Sequence, residues 1–306
     1  MARRRATLGP QRPPRLLSMA GSDSGGGAGI QADLKAFARC GAHGMTAITA
    51  ITAQNTEAVT AVHPVAPQAV VDQVWAVTED IGVDAVKVGM LGDVATIDAV
   101  HRALDLTCDA PVVVDPVMVS ESGSVLLAED ARQALRDRVL PRAAVVTPNH
   151  PEARVLARAG EDVDVRELAR RIHALGPGAV VITGGHREQG TDLFFDGSEF
   201  TEIAGLRHPD GAAHGSGCTH SSALAAYLAH GHGPLEAARR ARVVASEAVR
   251  DGLRGIGHGP GPVDALGIAL RAVTASAAPG ATASGTPAVC HNRRGATGRR
   301  PTKETE

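Results

Sequence analysis

Aromatic residues are scarce in this chain of 306 residues, which contains one Trp, one Tyr and four Phe. The core must therefore be built from Ala, Val, Leu and Ile, and few rings are available to stack on nucleic-acid bases. Charge gives no hint of such a partner either, because 31 basic and 33 acidic residues leave a net charge of -2. We therefore expect no nucleic-acid partner.

Cysteine is also rare. The four cysteines, Cys40, Cys108, Cys218 and Cys290, show no CxxC spacing, and no secretory signal precedes them. Neither a zinc site nor a disulfide framework is predicted. The basic N-terminus runs into prolines where a signal peptide needs apolar residues, and no apolar run is long enough to span a membrane. We expect a cytoplasmic protein without a membrane partner.

Two biased tails flank the part of the chain that has the pattern of a folded domain. Residues 1–15 are rich in Arg and Pro, and residues 276–306 are rich in Ala, Gly, Ser, Thr and Pro. Such compositions predict disorder. Residues 16–275 are long enough for a sizeable core, and their evenly spread apolar runs favour one domain.

Within this domain, short apolar runs alternate with stretches of helical period. Strands are predicted at 16–20, 45–53, 84–90, 111–115, 143–147 and 179–183, and helices at 30–40, 68–80, 94–106, 129–140 and twice within 150–175. Unbroken runs such as Val112-Val-Val114 are typical of parallel strands buried on both faces. Asp196-Gly197 predicts a hairpin over 191–203. The pattern therefore indicates an α/β fold with a mostly parallel sheet between helices.

The stretch His214-Gly-Ser-Gly-Cys-Thr-His-Ser-Ser222 is the strongest candidate for chemistry. Its two glycines permit close backbone approach, and the small residues that follow predict a closely packed helix. The first amides of such a helix have no intrahelical partner, and they carry the positive end of the helix dipole. The sequence therefore predicts an anion site at residues 215–218.

Six further stretches fall at predicted strand ends, where open parallel sheets bind ligands. They are residues 20–29, 49–55, 86–92, 114–123, 147–153 and 183–186. The glycine-rich turn at 20–29 has neither the GxGxxG spacing nor the lysine of a Walker loop, which disfavours dinucleotide binding. Ordinary structural roles compete at each place: Asn149 suits a helix N-cap, Asp33 a first helical turn, and Asp115 a strand end.

The order and the amino-acid sequences of these stretches resemble those of the ribokinase-like superfamily, and within it those of the hydroxymethylpyrimidine/phosphomethylpyrimidine kinases of thiamine biosynthesis. The resemblance covers about residues 16–272 and is most specific at residues 20–35 and 214–219. Residues 50–55, 88–91, 115–118, 147–149 and 151–152 support it. It implies a three-layer α/β/α fold, with ATP-dependent phosphorylation of 4-amino-5-hydroxymethyl-2-methylpyrimidine and then of its monophosphate. It also implies Mg²⁺ and a homodimer.

The resemblance also implies roles for particular residues. Gln54 would recognise the pyrimidine edge, in a pocket lined by Gly21, Asp33, Met90 and Val117. ATP and Mg²⁺ would be organised by Asn149, Glu152, Thr183 and Gly185, with Glu152 reaching the metal directly or through water. The catalytic anion hole would comprise Gly215, Ser216, Gly217 and Cys218. A helix start lowers a thiol pKa, so Cys218 is expected to act as proton acceptor or hydrogen-bond partner.

The chain departs from the family pattern at two positions, since Thr183 and Glu121 stand where lysine is common. Lys87 and Arg187 are candidates to replace the missing charge. Two other functions fit much of the same pattern: a pyridoxal kinase of the same superfamily, and a non-catalytic pyrimidine-binding regulatory protein.

Overall fold

The computed structural model describes residues 12–120, 122–184, 190–209 and 211–276. Its nine-stranded sheet has the order β3-β2-β1-β4-β5-β6-β7-β8-β9. The strands are β1 Arg15–Asp23, β2 His43–Gln54, β3 Val59–Pro64, β4 Ala85–Val88, β5 Val112–Val114, β6 Val145–Val146, β7 Val180–Ile182, β8 Asp192–Phe195 and β9 Phe200–Ile203. The six strands β1, β2 and β4 to β7 run parallel, and β3, β8 and β9 pair antiparallel at the edges. The predicted parallel α/β sheet is confirmed.

Helices cover both faces of this sheet. They are α1 Gly29–Arg39, α2 Pro67–Asp80, α3 Val94–Leu104, α4 Glu129–Ala134, α5 His150–Ala157, α6 Val165–His173, α7 Ser216–Ala229, α8 Pro234–Arg250 and α9 Ile268–Ser276. One core packs α2 to α6 on the sheet, and a second packs α1, α7 and α8 on its other face. In β4 the alternation puts Val86 and Val88 in the first core, so that Ala85 and Lys87 face α7.

The edges of the sheet hold the main differences from the predicted elements. The strand β3 was not predicted, because it lies at an edge and most of its residues are exposed or half-buried, which removes the apolar signal. The predicted hairpin is confirmed as β8 and β9, but its loop has four residues. Phe195 pairs with Phe200, and the Asp196 carboxylate accepts hydrogen bonds from the amides of Ser198 at 2.9 Å and Glu199 at 2.8 Å.

The predicted helix at 129–140 is also irregular. It begins as α4 and then continues through a π-helical turn, Leu135–Val139, and a 3-10 turn, Leu140–Arg142. Pro141 lies in the last turn, where its lack of an amide donor prevents the helix from continuing with regular hydrogen bonds. Residues 1–11 and 277–306, which include most of both predicted tails, lie outside the described residues.

Candidate functional site

A cleft of about 490 Å³ opens at the carboxyl ends of the parallel strands, a size that suits a small organic ligand. It collects residues from nearly all the predicted stretches. The predicted residues that line it are Gly21, Gln54, Met90, Val117, Asn149, Glu152, Thr183, Gly215, Ser216, Gly217 and Cys218. Gly185, together with Glu121 and Arg187, lies outside the described residues. The cleft therefore lies at the strand ends where the sequence predicted a ligand site.

The N-terminus of α7 forms the middle of this cleft. Gly215 is its N-cap, in the left-handed conformation with φ of 84°. A Cβ at this position would overlap the carbonyl oxygen of Gly27, so that only glycine fits. The amides of Gly217 and Cys218, in the first helical turn, have no preceding helical carbonyl to bond. This turn is therefore equipped to bind an anion.

The glycine-rich turn after β1 packs against this helix start. The Asp23 carboxylate accepts hydrogen bonds from the amides of Gly25 at 2.7 Å, Gly27 at 3.0 Å and Ala28 at 2.8 Å. His214 Nε2 lies 3.1 Å from the same carboxylate. Burial alone would raise the pKa of Asp23, but the hydrogen bonds from His214 and these amides lower it. These amides therefore donate to Asp23. The glycines of this turn allow the loop to pack closely, in addition to any role in ligand binding.

Beneath the helix start lies an ion pair without exposed side-chain surface. Lys87 Nζ is 2.8 Å from Asp33 Oδ1 and 3.9 Å from Asp115 Oδ2. Ser222 donates to Asp33 Oδ1 at 2.8 Å, and Ser18 donates to Asp33 Oδ2 at 2.6 Å. Burial lowers the pKa of Lys87, but the two carboxylates outweigh it and raise the pKa. Asp33 therefore does not line the cleft as predicted, because protein groups occupy both of its oxygens.

The thiol of Cys218 does not have the lowered pKa that the helix start predicts. Burial raises the pKa of Cys218 to about 12, although the charge of Lys87 acts in the opposite direction. The nearby carboxyls of Asp115 and Asp33 raise it further. At neutral pH the residue is a thiol that lines the cleft, and it is suited to hydrogen bonding.

Asp115 and a second carboxyl, that of Glu152, both line the cleft. Glu152 and Asn149 form a capping box at the start of α5, with both hydrogen bonds at 2.9 Å. Burial, followed by the charge of Asp115, raises the pKa of Glu152 to about 8. Burial also raises the pKa of Asp115. Within the described residues, no group of three or more metal-ligating side chains occurs.

These two carboxyls nevertheless fit the needs of Mg²⁺. That ion is held by one or two carboxylates together with substrate phosphates and water. Because the charge of Asp115 raises the pKa of Glu152, a cation bound beside them would favour the ionised form of Glu152. The donor set therefore fits Mg²⁺ in the presence of a phosphate ligand.

The raised pKa of Glu152 leads to a prediction about stability. A carboxyl whose folded pKa of about 8 exceeds the ordinary 4.5 contributes stability below pH 4.5, and this is lost as pH rises through 8. In urea unfolding without Mg²⁺, we expect Glu152→Gln to flatten the pH dependence between pH 5 and 8 by up to about 1.4 kcal/mol per pH unit. Gln preserves the capping box. Equal slopes in the wild type and in Glu152→Gln would contradict the prediction; the exposed Glu161→Gln serves as control.

One end of the cleft has the features of a site for a planar polar ring. The Gln54 side-chain oxygen accepts a hydrogen bond from the Thr52 hydroxyl at 3.1 Å. The Ser24 hydroxyl accepts from the Gln54 main-chain amide at 2.8 Å and donates to the Gln54 carbonyl at 2.6 Å. Thr49 donates to the Met90 carbonyl at 2.7 Å and fixes that residue at the strand end. A positioned amide and an adaptable apolar side chain that line the same cleft suit a heterocycle.

The opposite end contains a buried charged cluster that the sequence analysis missed. Arg242 of α8 donates to the Gly190 carbonyl and lies 3.8 Å from Asp192, and His220 lies 3.6 Å from the same carboxylate. Burial lowers the pKa of His220 and keeps it neutral. The position of Arg242 in the cleft could not be predicted from the sequence, because its partner Gly190 lies more than 50 residues earlier in the chain. This end therefore contains one cationic side chain, from α8, which is paired with a buried carboxylate.

A family model described as phosphomethylpyrimidine kinase matches residues 23–264. The chain is 44% identical over 258 residues to the hydroxymethylpyrimidine/phosphomethylpyrimidine kinase of Streptomyces coelicolor, covering 83% of this chain and 95% of that protein. It is 45% identical over 253 residues to the thiamine biosynthesis bifunctional protein ThiED of Geobacter sulfurreducens, covering 81% of this chain and about half, 51%, of that protein.

Among solved structures, an ADP complex of a Bacillus subtilis pyridoxal kinase is similar, with a TM-score of 0.77 and 36% identity. The match covers 84% of this chain and 99% of that one. In the part of the chain that the structure describes, no helix is long and apolar enough to cross a membrane.

Proposed function

Because the chain belongs to the phosphomethylpyrimidine kinase family, we propose that it transfers the γ-phosphoryl group of ATP to 4-amino-5-hydroxymethyl-2-methylpyrimidine, and then a second one to the monophosphate. The observation that carries this proposal is that the first turn of α7 lines the same cleft as Gln54 and Arg242. In the order of the sheet, α7 packs on β1, β4 and β5, between β2, which ends at Gln54, and β8, where Asp192 lies beside Arg242. A phosphoryl group in transfer needs donors at that point.

The ring would lie at the Gln54 end, where the amide meets its polar edge and Met90 and Val117 contact its face. The hydroxymethyl oxygen would then face the first turn of α7. The amides of Gly217 and Cys218 would stabilise the charge on the transferring group, whose loose transition state depends mainly on positioning and charge stabilisation.

ATP would occupy the other end, with its phosphates directed at α7 and close to Thr183 and Arg242. Mg²⁺ would be held by Glu152, with Asp115 and Asn149 nearby, and when bound it neutralises phosphate charge. Lys87 lies below as a fixed positive charge, already paired with Asp33 and Asp115. Its contribution to the anion hole is therefore one of background potential, not direct contact.

Cys218 would serve as a hydrogen-bond partner of the attacking hydroxyl and not as the proton acceptor, since its pKa of about 12 keeps it protonated. We expect Cys218→Ala to lower kcat by less than about tenfold, whereas loss of a general base costs about 10² to 10⁴. Steady-state kinetics at constant far-ultraviolet circular dichroism measures this. A loss above about a hundredfold would restore the proton-acceptor role.

Arg242 would compensate for the positive charge absent at Thr183. We expect Arg242→Gln to raise the KM for ATP by about tenfold and to leave the KM for the pyrimidine alcohol unchanged, since one charge-assisted contact contributes about 1.5–3 kcal/mol. Adding Thr183→Lys to Arg242→Gln should lower the ATP KM again, because Thr183 lines the same cleft.

The exposed Arg240 of the same helix, paired with Glu236, is the matched control as Arg240→Gln. An ATP KM that responds equally to both glutamine variants, or that Thr183→Lys does not restore, would remove Arg242 from the nucleotide site.

Purified protein offered the pyrimidine alcohol, its monophosphate and pyridoxal, each with ATP and Mg²⁺, tests the function as a whole. We expect phosphorylation of both pyrimidines. The similarity to a pyridoxal kinase structure makes pyridoxal the second candidate substrate, and a preference for it would overturn the proposal. A protein that binds the pyrimidine without consuming ATP would instead be a regulatory relative. We also propose a cytoplasmic homodimer, which sedimentation velocity and cell fractionation test.

A further inference from the structure

One segment contacts both the Gln54 turn and the start of α7 without lining the cleft. This segment, residues 253–263, follows α8 and carries a glycine at each second position from 255 to 261. We call it the glycine loop. Its ends are joined, since the amide of Leu253 donates to the carbonyl of Pro262 at 2.9 Å. A Cβ on Gly261 would overlap the Leu253 carbonyl, so the closure requires glycine.

The first contact of the glycine loop is with Thr56, two residues beyond Gln54. The amide of Gly259 donates to the Thr56 hydroxyl at 3.2 Å. A Cβ on Gly259 would overlap the Thr56 carbonyl oxygen, and one on Gly257 would overlap the Thr56 hydroxyl. Two glycines thus let the loop backbone lie directly on this turn.

The turn that carries Thr56 is closed by hydrogen bonds. The Asn55 side chain accepts hydrogen bonds from the amides of Glu57 and Ala58, both at 2.9 Å, and the Asn55 amide donates to the Ala58 carbonyl at 3.0 Å. Because Thr56 lies inside this hydrogen-bonded turn, two residues after Gln54, we expect a displacement of Thr56 to reach Gln54.

The second contact of the glycine loop is with the residue before the anion hole. Pro262 pairs with His214 in a short parallel bridge, and the amide of Val263 donates to the His214 carbonyl at 3.0 Å. Gly27 lies against both residues, since a Cβ there would overlap the His214 imidazole and lie 3.0 Å from Pro262 Cβ. The loop therefore also fixes the chain that leads into Gly215.

We infer that the glycine loop is a positioning element that sets the distance between Gln54, which binds the ring, and the α7 N-terminus, which stabilises the phosphoryl group during its transfer to the substrate hydroxyl. It contacts both without contacting the cleft, so it acts through Thr56 and His214. This inference rests on the proposed function. A change in the loop is therefore expected to affect the pyrimidine end of the cleft and not the nucleotide end. The nucleotide end is formed by α8 and the strands β7 and β8 and does not depend on the Thr56 contact.

The test is Gly259→Ala, whose added methyl group pushes Thr56 and Gln54 away from the loop. Misplacement by about 1 Å can cost up to about 10²-fold in rate. We expect the KM for the pyrimidine alcohol to rise about tenfold with a fall in kcat, while the KM for ATP stays within about twofold. Gly233→Ala is the matched control, since a Cβ there has no neighbour within 4 Å and the residue lies outside the loop.

Thr56→Ala removes the hydroxyl acceptor without adding bulk. This variant tests the positioning role of the glycine loop if Gly259→Ala does not fold. We expect the same selective rise of the pyrimidine KM, with a smaller magnitude. Unchanged pyrimidine KM in an active protein, or equal rises for pyrimidine and ATP, would overturn the positioning role alone. A wild-type protein that does not phosphorylate the pyrimidine alcohol would overturn the proposed function and this inference together.

Discussion

Replacing Lys87 by Met is expected to be among the most destabilising single changes in this protein, by about 3–5 kcal/mol. The substitution keeps the volume and removes the ammonium group from between Asp33 and Asp115, whose carboxyls then lie buried without a cation. Their repulsion and desolvation oppose folding. Urea unfolding followed by circular dichroism measures the change.

The pH dependence of this contribution has a definite sign. The pKa of Lys87 is raised above its ordinary 10.5, so its contribution is complete below pH 10.5 and is lost only as pH rises through the higher folded value. We therefore expect the deficit of Lys87→Met to persist at neutral pH and to shrink in acid, where the Asp33 and Asp115 carboxyls, left without their cation, take up protons.

A second variant separates lost charge from lost packing. In Lys87→Met combined with Asp33→Asn, the neutral amide still accepts from Ser18 or Ser222, and one uncompensated carboxylate disappears. We expect it to recover a substantial part of the lost stability. Arg240→Met, which breaks an exposed pair with Glu236, should cost no more than about 1 kcal/mol. A Lys87→Met deficit as small as that of Arg240→Met would contradict the predicted electrostatic role.

The location of the cleft was predictable because parallel strands share one carboxyl edge. Every stretch placed at such an end, from Gly21 to Thr183, has a residue in the cleft lining. Gly89 was harder to interpret, since a glycine at a strand end suggests a ligand. In the structure, a Cβ there would lie 2.8 Å from Nζ of Lys87, so the glycine makes room for the buried ammonium.

Side-chain partners far apart in sequence were not predictable. Asp33 lies early in α1, where a dipole role is the natural expectation, and its partner Lys87 is 54 residues away. The same limit applies to Cys218. The sequence shows the helix start that lowers a thiol pKa, but the protein atoms that surround the sulfur and raise the pKa to about 12 come from distant segments.

Gly215→Ala is expected to have the largest effect on catalysis. Its φ of 84° is unfavourable for Ala, and the new Cβ would overlap the Gly27 carbonyl, so the start of α7 has to move. Because misaimed amides lose contact with the transferring charge, we expect kcat to fall by about 10² to 10³, the cost of removing one oxyanion donor. Steady-state kinetics with the pyrimidine alcohol at saturating ATP measures it.

The other end of the same helix supplies the matched control. Gly231 follows α7 with φ of 88°, and a Cβ there would have no neighbour within 4 Å. Gly231→Ala therefore carries a similar backbone strain without the overlap, and it should lower the free energy of unfolding by about 1 kcal/mol or more while kcat stays near the wild-type value. If the two variants lose kcat equally, strain in α7 and not the aim of its first amides would be the cause. If Gly215→Ala keeps nearly full turnover, the phosphoryl group is not stabilised at this helix start.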